Sequence, residues 1–111
     1  MKDNTTAMIT DPPDIKLEVT EPNDSKTKTV NLTCIVEGNP KPSVHWLKND
    51  QPINLHQTGI SILRFGNIHT LMVEMRKDLY GEYRCEVKNY LGHANQTTIV
   101  SGNAPSFGTK N

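Results

Sequence analysis

Two cysteines and one tryptophan place the strongest constraint on the fold of this chain. Cys34 and Cys85 are its only cysteines, 50 residues lie between them, and Trp46 follows the first by 12 positions. Each of the three lies in a short segment in which apolar and polar residues alternate, which is typical of a β-strand with one buried face. A disulfide bond between the cysteines would destabilise the unfolded chain by roughly 4 kcal/mol. Two buried free thiols in a reducing compartment are the alternative.

The same alternation recurs along the chain, between clusters of turn-forming residues. It predicts about seven short strands, and no segment of useful length has helical periodicity. In a chain of 111 residues this pattern indicates one all-β domain, a sandwich or a barrel. The segment from Ile53 to Thr58 is weakly patterned and is either a short edge strand or a loop. The inward positions predict a core that contains Leu32, Val44, Trp46, Leu71, Val73, Tyr83 and Val87.

The two ends of the chain lack this pattern. We interpret residues 1–11 as a flexible leader or linker, residues 12–100 as the domain, and residues 101–111 as a flexible tail. No apolar segment is long enough to span a bilayer, and the first ten residues lack the apolar centre of a signal peptide. We therefore expect the chain to be a mature or excised part of a longer protein.

Several motifs together resemble one known family. The resemblance covers residues 12–100, and it is to an immunoglobulin domain of the intermediate, or I-set, type. It implies an immunoglobulin-like two-sheet sandwich with one inter-sheet disulfide between Cys34 and Cys85, on which Trp46 packs. It also implies that the hydroxyl of Tyr83 bonds back to the preceding chain. The motifs are Cys34, the run Gly38-x-Pro40-x-Pro42-x-Val44-x-Trp46, the pair Tyr83-x-Cys85 and the turn Asn89-x-x-Gly92.

One corner departs from the family pattern. Members usually carry an aspartate six residues before the second cysteine, and here Leu79 holds that position, with Asp78 one step earlier. The usual carboxylate contact at this corner is therefore not carried over to this chain.

The resemblance implies a binding domain and not an enzyme. We expect an extracellular protein-binding module of a cell-adhesion molecule or receptor. Its recognition is expected to be either homophilic, with a second copy of the same protein, or heterophilic, with a different protein. The parent protein is expected to be anchored at the cell surface, while this fragment itself contacts no membrane. Two alternatives stay open. One is a structural spacer domain of an intracellular muscle-type protein, and the other is an ectodomain module of a receptor tyrosine kinase or phosphatase.

Charge and motif content exclude several other functions. The chain has 12 basic and 12 acidic side chains, so no net field attracts nucleic acid or an anionic bilayer, and neither is expected as a partner. No phosphate-binding, dinucleotide-binding or hydrolase motif is present. We therefore expect no catalytic residue, no metal and no cofactor. The histidines, which lack the spacing of a metal site, are His45, His56, His69 and His93.

Four sequons of the form Asn-x-Ser/Thr are acceptors for N-linked glycans in a secreted protein. They begin at Asn4, Asn23, Asn31 and Asn95. Asn31 and Asn95 alternate with inward residues, so both should point to solvent, on opposite sheets of the sandwich. Our hypothesis is that Asn95 carries a glycan and that its sheet face is then not the centre of a protein interface.

A row of charged residues on the same sheet favours the opposite interpretation. Arg84, Glu86 and Lys88 alternate with inward residues and so share one outer face, and Leu47 and Ile99 are predicted on that side. Apolar side chains among charges are the usual composition of a recognition patch. These five residues form the candidate binding face. A solvated face that keeps the domain soluble is the alternative.

Overall fold

The computed structural model describes residues 10–20 and 28–102. The predicted tail and the leader lie almost entirely outside these residues, and so do the sequons at Asn4 and Asn23. The described residues form eight β-strands and one short 3-10 helix. The strands are β1 (Asp11–Thr20), β2 (Thr29–Asn39), β3 (Ser43–Lys48), β4 (Gln51–Pro52), β5 (Ile60–Phe65), β6 (Ile68–Glu74), β7 (Gly81–Asn89) and β8 (Gly92–Val100), and the helix is Lys77–Leu79.

The strands form two four-stranded antiparallel sheets that face each other. One sheet has the order β1-β2-β6-β5 and the other has the order β4-β3-β7-β8. Cys34 on β2 is bonded to Cys85 on β7, with their Cα atoms 6.5 Å apart, so the disulfide joins the two sheets. The all-β sandwich with one inter-sheet disulfide is therefore confirmed.

The core surrounds this disulfide. Trp46 lies directly opposite Cys85 in the β3–β7 register and is almost fully buried. Val44, one inward position earlier on β3, is only partly buried and packs against the edge of the core. The remaining core residues named from the sequence have no exposed surface, and they are Leu32, Leu71, Val73, Tyr83 and Val87.

Tyr83 holds the corner between the 3-10 helix and β7. Its hydroxyl donates a hydrogen bond to the carbonyl oxygen of Leu79, four residues earlier. Leu79 is buried in the core, whereas Asp78 is exposed, and its two carboxylate oxygens accept hydrogen bonds from Nε and Nη2 of Arg76 at 3.1 and 2.9 Å. The position where the family usually has an aspartate is therefore a core position in this chain. The carboxylate contact at this corner comes from the preceding residue.

The connection between β3 and β5 begins with a tight hairpin and continues as a loop. Gln51 and Pro52 pair with the end of β3 as the short strand β4. The turn consists of Asn49 and Asp50 alone, which have φ angles of 51° and 67°. Two consecutive positive φ angles are the geometry of a type I′ hairpin, which Asn and Asp tolerate. The weakly patterned segment from Ile53 onward is a loop in this structure.

The hairpin of β5 and β6 has a turn of two residues. Phe65 is the last residue of β5 and pairs with Ile68. The turn is formed by Gly66 and Asn67, and Gly66 has a φ of 62°, which glycine adopts without steric cost. Since two residues complete the turn, the strands extend further toward it than the alternation alone indicates.

Gln96 ties the first strand to the last. It lies opposite Cys85 in the β7–β8 register and so faces inward, at the open edge of the sandwich. Its side-chain amide accepts a hydrogen bond from the backbone N–H of Leu17 at 3.1 Å and donates one to the carbonyl of Ile15 at 3.4 Å. Strand β1 thereby contacts both sheets and covers the edge of β8.

Candidate functional site

The outer face of β3, β7 and β8 carries the five candidate residues from the sequence. All five point outward, but the register separates the two apolar ones. Leu47 lies opposite Arg84, whereas Ile99 lies opposite Glu82 on the other side of β7. A charged strand therefore runs between Leu47 and Ile99, and the two do not form one apolar patch.

The charges of this face are largely paired with one another. The Arg84 side chain is 27% exposed, and its Nη1 lies 2.7 Å from Oδ1 of Asp50 while its Nε lies 3.7 Å from Oε2 of Glu86. Lys88 is exposed further along β7, where Ser43 lies opposite it. Paired surface charges of this kind are typical of a solvated face.

The two described sequons lie on opposite sheets. Asn95 is exposed and lies opposite Glu86, in the middle of the outer face just described. Asn31 is half-buried on the outer face of the other sheet, between Thr20 and Met72. A glycan on Asn95 would cover the row of charges on β7.

The outer face of the other sheet carries a larger apolar surface. Ile35, Ile68 and Phe65 lie opposite one another on β2, β6 and β5, and Leu63 is the next outward residue on β5. Phe65 is 81% exposed, Leu63 59% and Ile68 38%. We call these four residues the hairpin patch.

The hairpin patch is not among the residues predicted from the sequence to bind a partner. Its signal was that β5 has apolar residues at both inward and outward positions: Ile60 and Ile62 face the core side, whereas Leu63 and Phe65 face outward. A strand at the edge of a sheet needs only one apolar face to pack on the core. The outward apolar residues of β5 are therefore not needed to form the core.

A cleft of about 460 Å³ lies on the other side of the same hairpin, at the end of the sandwich. Its walls are the end of β2 (36–38), the connection to β3 at Lys41 and Pro42, and the β5–β6 turn at Gly66 and Asn67. The backbone N–H of Val36 donates to the carbonyl of Asn67 at 2.9 Å, which holds two of these walls together. We call this feature the end cleft.

His69 lines the end cleft and is only 8% exposed. It lies opposite Arg64 in the β5–β6 register, so both side chains point to the same side of the hairpin. Burial lowers the pKa of the His69 imidazole, and the positive charges of Arg64 and Lys41 lower it further. At neutral pH this imidazole is therefore uncharged, in a positive local field.

The described residues hold no group of three or more potential metal ligands. No helix among the residues with described positions is long and apolar enough to cross a membrane. What the surface offers is an apolar patch, a cationic cleft and a charged face, which are features for binding.

Two four-stranded sheets, the inter-sheet disulfide with Trp46 opposite one of its cysteines, and the buried tyrosine at the corner define the class of this protein. The chain belongs to the immunoglobulin I-set domain family, whose model matches residues 13–101. I-set domains are binding or structural modules that mediate protein–protein interaction and carry no catalytic site.

The relatives of this chain come from different settings. It is 35% identical over 95 residues to mouse hemicentin-1, and the match covers 85% of this chain and 2% of hemicentin-1. It is 37% identical over 75 residues to chicken M-protein of striated muscle, with 67% of this chain and 5% of M-protein covered. The chain thus spans only a few per cent of these relatives. Mouse vascular endothelial growth factor receptor 2 is also among them, at 35% identity over 72 residues, with 65% of this chain and 5% of the receptor covered.

Solved structures show the same fold. The titin domains Z1Z2, crystallised in complex with telethonin, match with a TM-score of 0.71 at 21% identity. The match covers 85% of this chain and 49% of that titin chain.

Proposed function

We propose that this chain is an extracellular protein-binding domain of a cell-adhesion molecule or receptor and that it contacts its partner through the hairpin patch. One observation carries the proposal: Ile35, Ile68 and Phe65 form a continuous apolar row across three strands, and Leu63 extends it. Apolar surface concentrated on one outer face is typical of protein-interaction sites. An exposed aromatic side chain such as Phe65 buries a large area on binding.

The extracellular setting is supported by two features. The disulfide between Cys34 and Cys85 fits an oxidising compartment, and the Asn95 sequon is exposed on the sheet opposite the hairpin patch. A glycan on Asn95 would cover the charged face and leave the hairpin patch free. In this proposal the face with Asn95 is glycosylated and the hairpin patch binds protein, while Asn31, on the outer face of the sheet that carries the patch, stays unmodified.

A structural spacer inside muscle cells is the second candidate, because M-protein of striated muscle is among the relatives. In that setting the cysteines would stay reduced and no glycan would be attached. An ectodomain module of a receptor tyrosine kinase or phosphatase would use the same surface as a cell-adhesion domain. It would differ only in the other domains of the parent protein.

The setting is tested on the full-length protein in the cells that make it. Thiols are blocked at lysis, and the masses of the peptides that contain Cys34, Cys85 and Asn95 are measured with and without peptide N-glycosidase. We expect no blocked thiol and a glycosidase-sensitive mass on Asn95. Two blocked thiols and an unmodified Asn95 would favour the muscle spacer.

The binding face is tested with the domain presented as tetramers. Binding to cells is measured by flow cytometry, and like-to-like binding by the aggregation of coated beads. We expect Phe65→Ser to abolish binding, whereas Leu55→Ser, which removes a loop side chain that is 46% exposed, leaves it unchanged. The double variant Leu47→Asp, Ile99→Asp tests the other sheet. If this variant loses binding and Phe65→Ser does not, the hairpin patch is not the binding face.

A further inference from the structure

The end cleft combines fixed walls with an excess of positive charge. Besides the hydrogen bond between Val36 and Asn67, the side-chain amide of Asn89 donates to the carbonyl of Pro40 at 3.0 Å and so holds the connection between β2 and β3. A site whose walls are already held in place loses little conformational entropy when a ligand binds. The end cleft is therefore suited to receive a ligand without reorganisation.

Two lining residues of the cleft are basic, Lys41 in the β2–β3 connection and His69 on β6. Arg64 on β5 is not a lining residue, but it lies opposite His69, and its charge acts on the His69 imidazole together with that of Lys41. Within residues 10–20 and 28–102, neither Lys41 nor Arg64 forms an ion pair. Glu37 is the one acidic residue among the described lining residues. With Arg64 counted beside Lys41 and Glu37, the local charge around His69 is positive.

His69 offers the cleft a polar group that no other described residue occupies. The residue is 8% exposed, lines the cleft, and makes no hydrogen bond to another described residue. Its ring nitrogens are therefore available to a ligand that enters the cleft. Burial and, to a smaller extent, the cationic neighbours lower the pKa of the imidazole in the free domain, and a bound anion would raise it because an anion stabilises the imidazolium form.

We propose that the end cleft binds an acidic segment of a partner protein, with one carboxylate held between Lys41, Arg64 and His69. The inference rests on the proposed function and specifies the partner: it presents an Asp or Glu side chain next to apolar residues. The cleft and the hairpin patch lie on opposite sides of the β5–β6 hairpin, so a partner contacts both only if it reaches around the hairpin turn. Glu37 in the cleft wall and the zero net charge of the chain disfavour a highly charged sulfated sugar as the ligand.

The probe is the tripeptide acetyl-alanyl-glutamyl-alanyl-amide, compared with the same peptide containing glutamine. It is titrated into the ¹⁵N-labelled domain at pH 6.5 and followed by NMR. For so small a probe we expect weak binding, with a dissociation constant on the order of 1 mM or higher. We expect saturable shifts of the Gly38, Gly66 and Asn67 amides with the glutamyl peptide and at least tenfold weaker binding of the glutaminyl peptide. Equal responses to both peptides would overturn the proposal.

Charge variants identify the residues that hold the carboxylate. The double variant Lys41→Gln, Arg64→Gln is expected to bind the glutamyl peptide at least tenfold more weakly. The control is Lys77→Gln, which removes an exposed lysine from the 3-10 helix. The pKa of the His69 imidazole should rise when the glutamyl peptide is present, and binding should therefore tighten as the pH falls. Unchanged affinity in the double variant, or an unchanged His69 pKa, would contradict the assignment.

Two further experiments distinguish this proposal from a sugar-binding cleft and from the proposed function. A sulfated disaccharide that binds at least tenfold more tightly than the glutamyl peptide and loses affinity in the double variant would show that the cleft takes a sugar, against the proposal. In the cell-binding assay, tetramers of the double variant are expected to bind at least tenfold more weakly. If they bind normally while Phe65→Ser does not, the end-cleft assignment is wrong and the proposed function stands. If the domain binds the glutamyl peptide but binds no cell-surface protein, the end-cleft assignment stands and the proposed function is wrong.

Discussion

The hydroxyl of Tyr83 donates a hydrogen bond to the carbonyl oxygen of Leu79, and both side chains are buried in the core. This contact joins the start of β7 to the 3-10 helix that precedes it. It places Leu79 in the core and leaves Asp78 at the surface, where it binds Arg76. Burial of the ring, with a smaller contribution from the negative charge of Asp78, raises the pKa of Tyr83 to about 12. The donor is therefore protonated at all physiological pH values.

Tyr83→Phe removes this donor and keeps the ring. Because a buried carbonyl then loses its partner, we expect the free energy of unfolding to fall by about 1–3 kcal/mol. The measurement is the urea midpoint at constant slope. The matched control is Tyr90→Phe, which alters a tyrosine that is 76% exposed and should change the stability by less than about 0.5 kcal/mol. Equal effects of the two substitutions would show that the corner hydrogen bond does not stabilise the fold.

Reduction of the Cys34–Cys85 disulfide should destabilise the domain, and it does so without substituting any residue. The bond closes a loop with a sequence separation of 51 residues, and the entropy that it removes from the unfolded chain corresponds to about 4 kcal/mol. The experiment compares urea unfolding of the oxidised domain with that of the domain in excess dithiothreitol. The variant Cys34→Ala, Cys85→Ala should be less stable than the reduced domain, because it also leaves cavities in the core. Identical urea midpoints for the oxidised and reduced domains would argue against the loop-entropy explanation.

Gly59→Ala and Gly66→Ala separate backbone strain from steric overlap. Both glycines have positive φ angles, 87° and 62°, and an L-residue in this region costs about 1–2 kcal/mol. A Cβ on Gly59 would lie 2.6 Å from Cδ1 of the buried Leu79, whereas a Cβ on Gly66 would meet nothing within 4 Å. We expect Gly59→Ala to lower the free energy of unfolding clearly more than Gly66→Ala does. Equal losses in thermal or urea unfolding would mean that Leu79 moves aside at no cost.

His69 should make the stability depend on pH in a defined direction. Its folded-state pKa is lowered by burial and by the charges of Arg64 and Lys41, so below the ordinary value of 6.5 the unfolded chain takes up a proton before the folded domain does. The stability contribution is fully present above pH 6.5 and is lost as the pH falls through the folded-state pKa. Urea unfolding between pH 5 and pH 8 measures it.

The control for this pH dependence is His69→Gln, which removes the titrating group. Its stability should vary less between pH 5 and pH 8 than that of the unaltered domain. The exposed His93 on β8 offers a matched comparison, because His93→Gln should retain the full dependence. A steeper loss toward acid pH in His69→Gln than in the unaltered domain would contradict the assignment.

The direction in which side chains point could be predicted from the sequence, but their cross-strand neighbours could not. Alternation along one strand is a local property, so it correctly assigned Trp46 and Tyr83 to the core. The distance between Leu47 and Ile99 depends on the register of two other strand pairs, which alternation does not specify. The end cleft is harder to predict, because Lys41, Arg64 and His69 lie on three separate segments and come near one another only in the folded domain. For Leu63 and Phe65 the sequence does contain a local signal, because β5 has apolar residues at both its inward and its outward positions.

Gln96 has a mechanical consequence. Because its amide bonds to Leu17 and Ile15, β1 is held by the hydrogen-bonded ladder with β2 and also by a side-chain clamp from β8. A stretching force applied at the two ends of the domain must break both attachments before the first strand detaches. Gln96→Ala would remove the clamp and retain the ladder, so the force at which β1 separates in a single-molecule experiment should fall. A domain that transmits tension between cells, or along a filament, would benefit from such a contact.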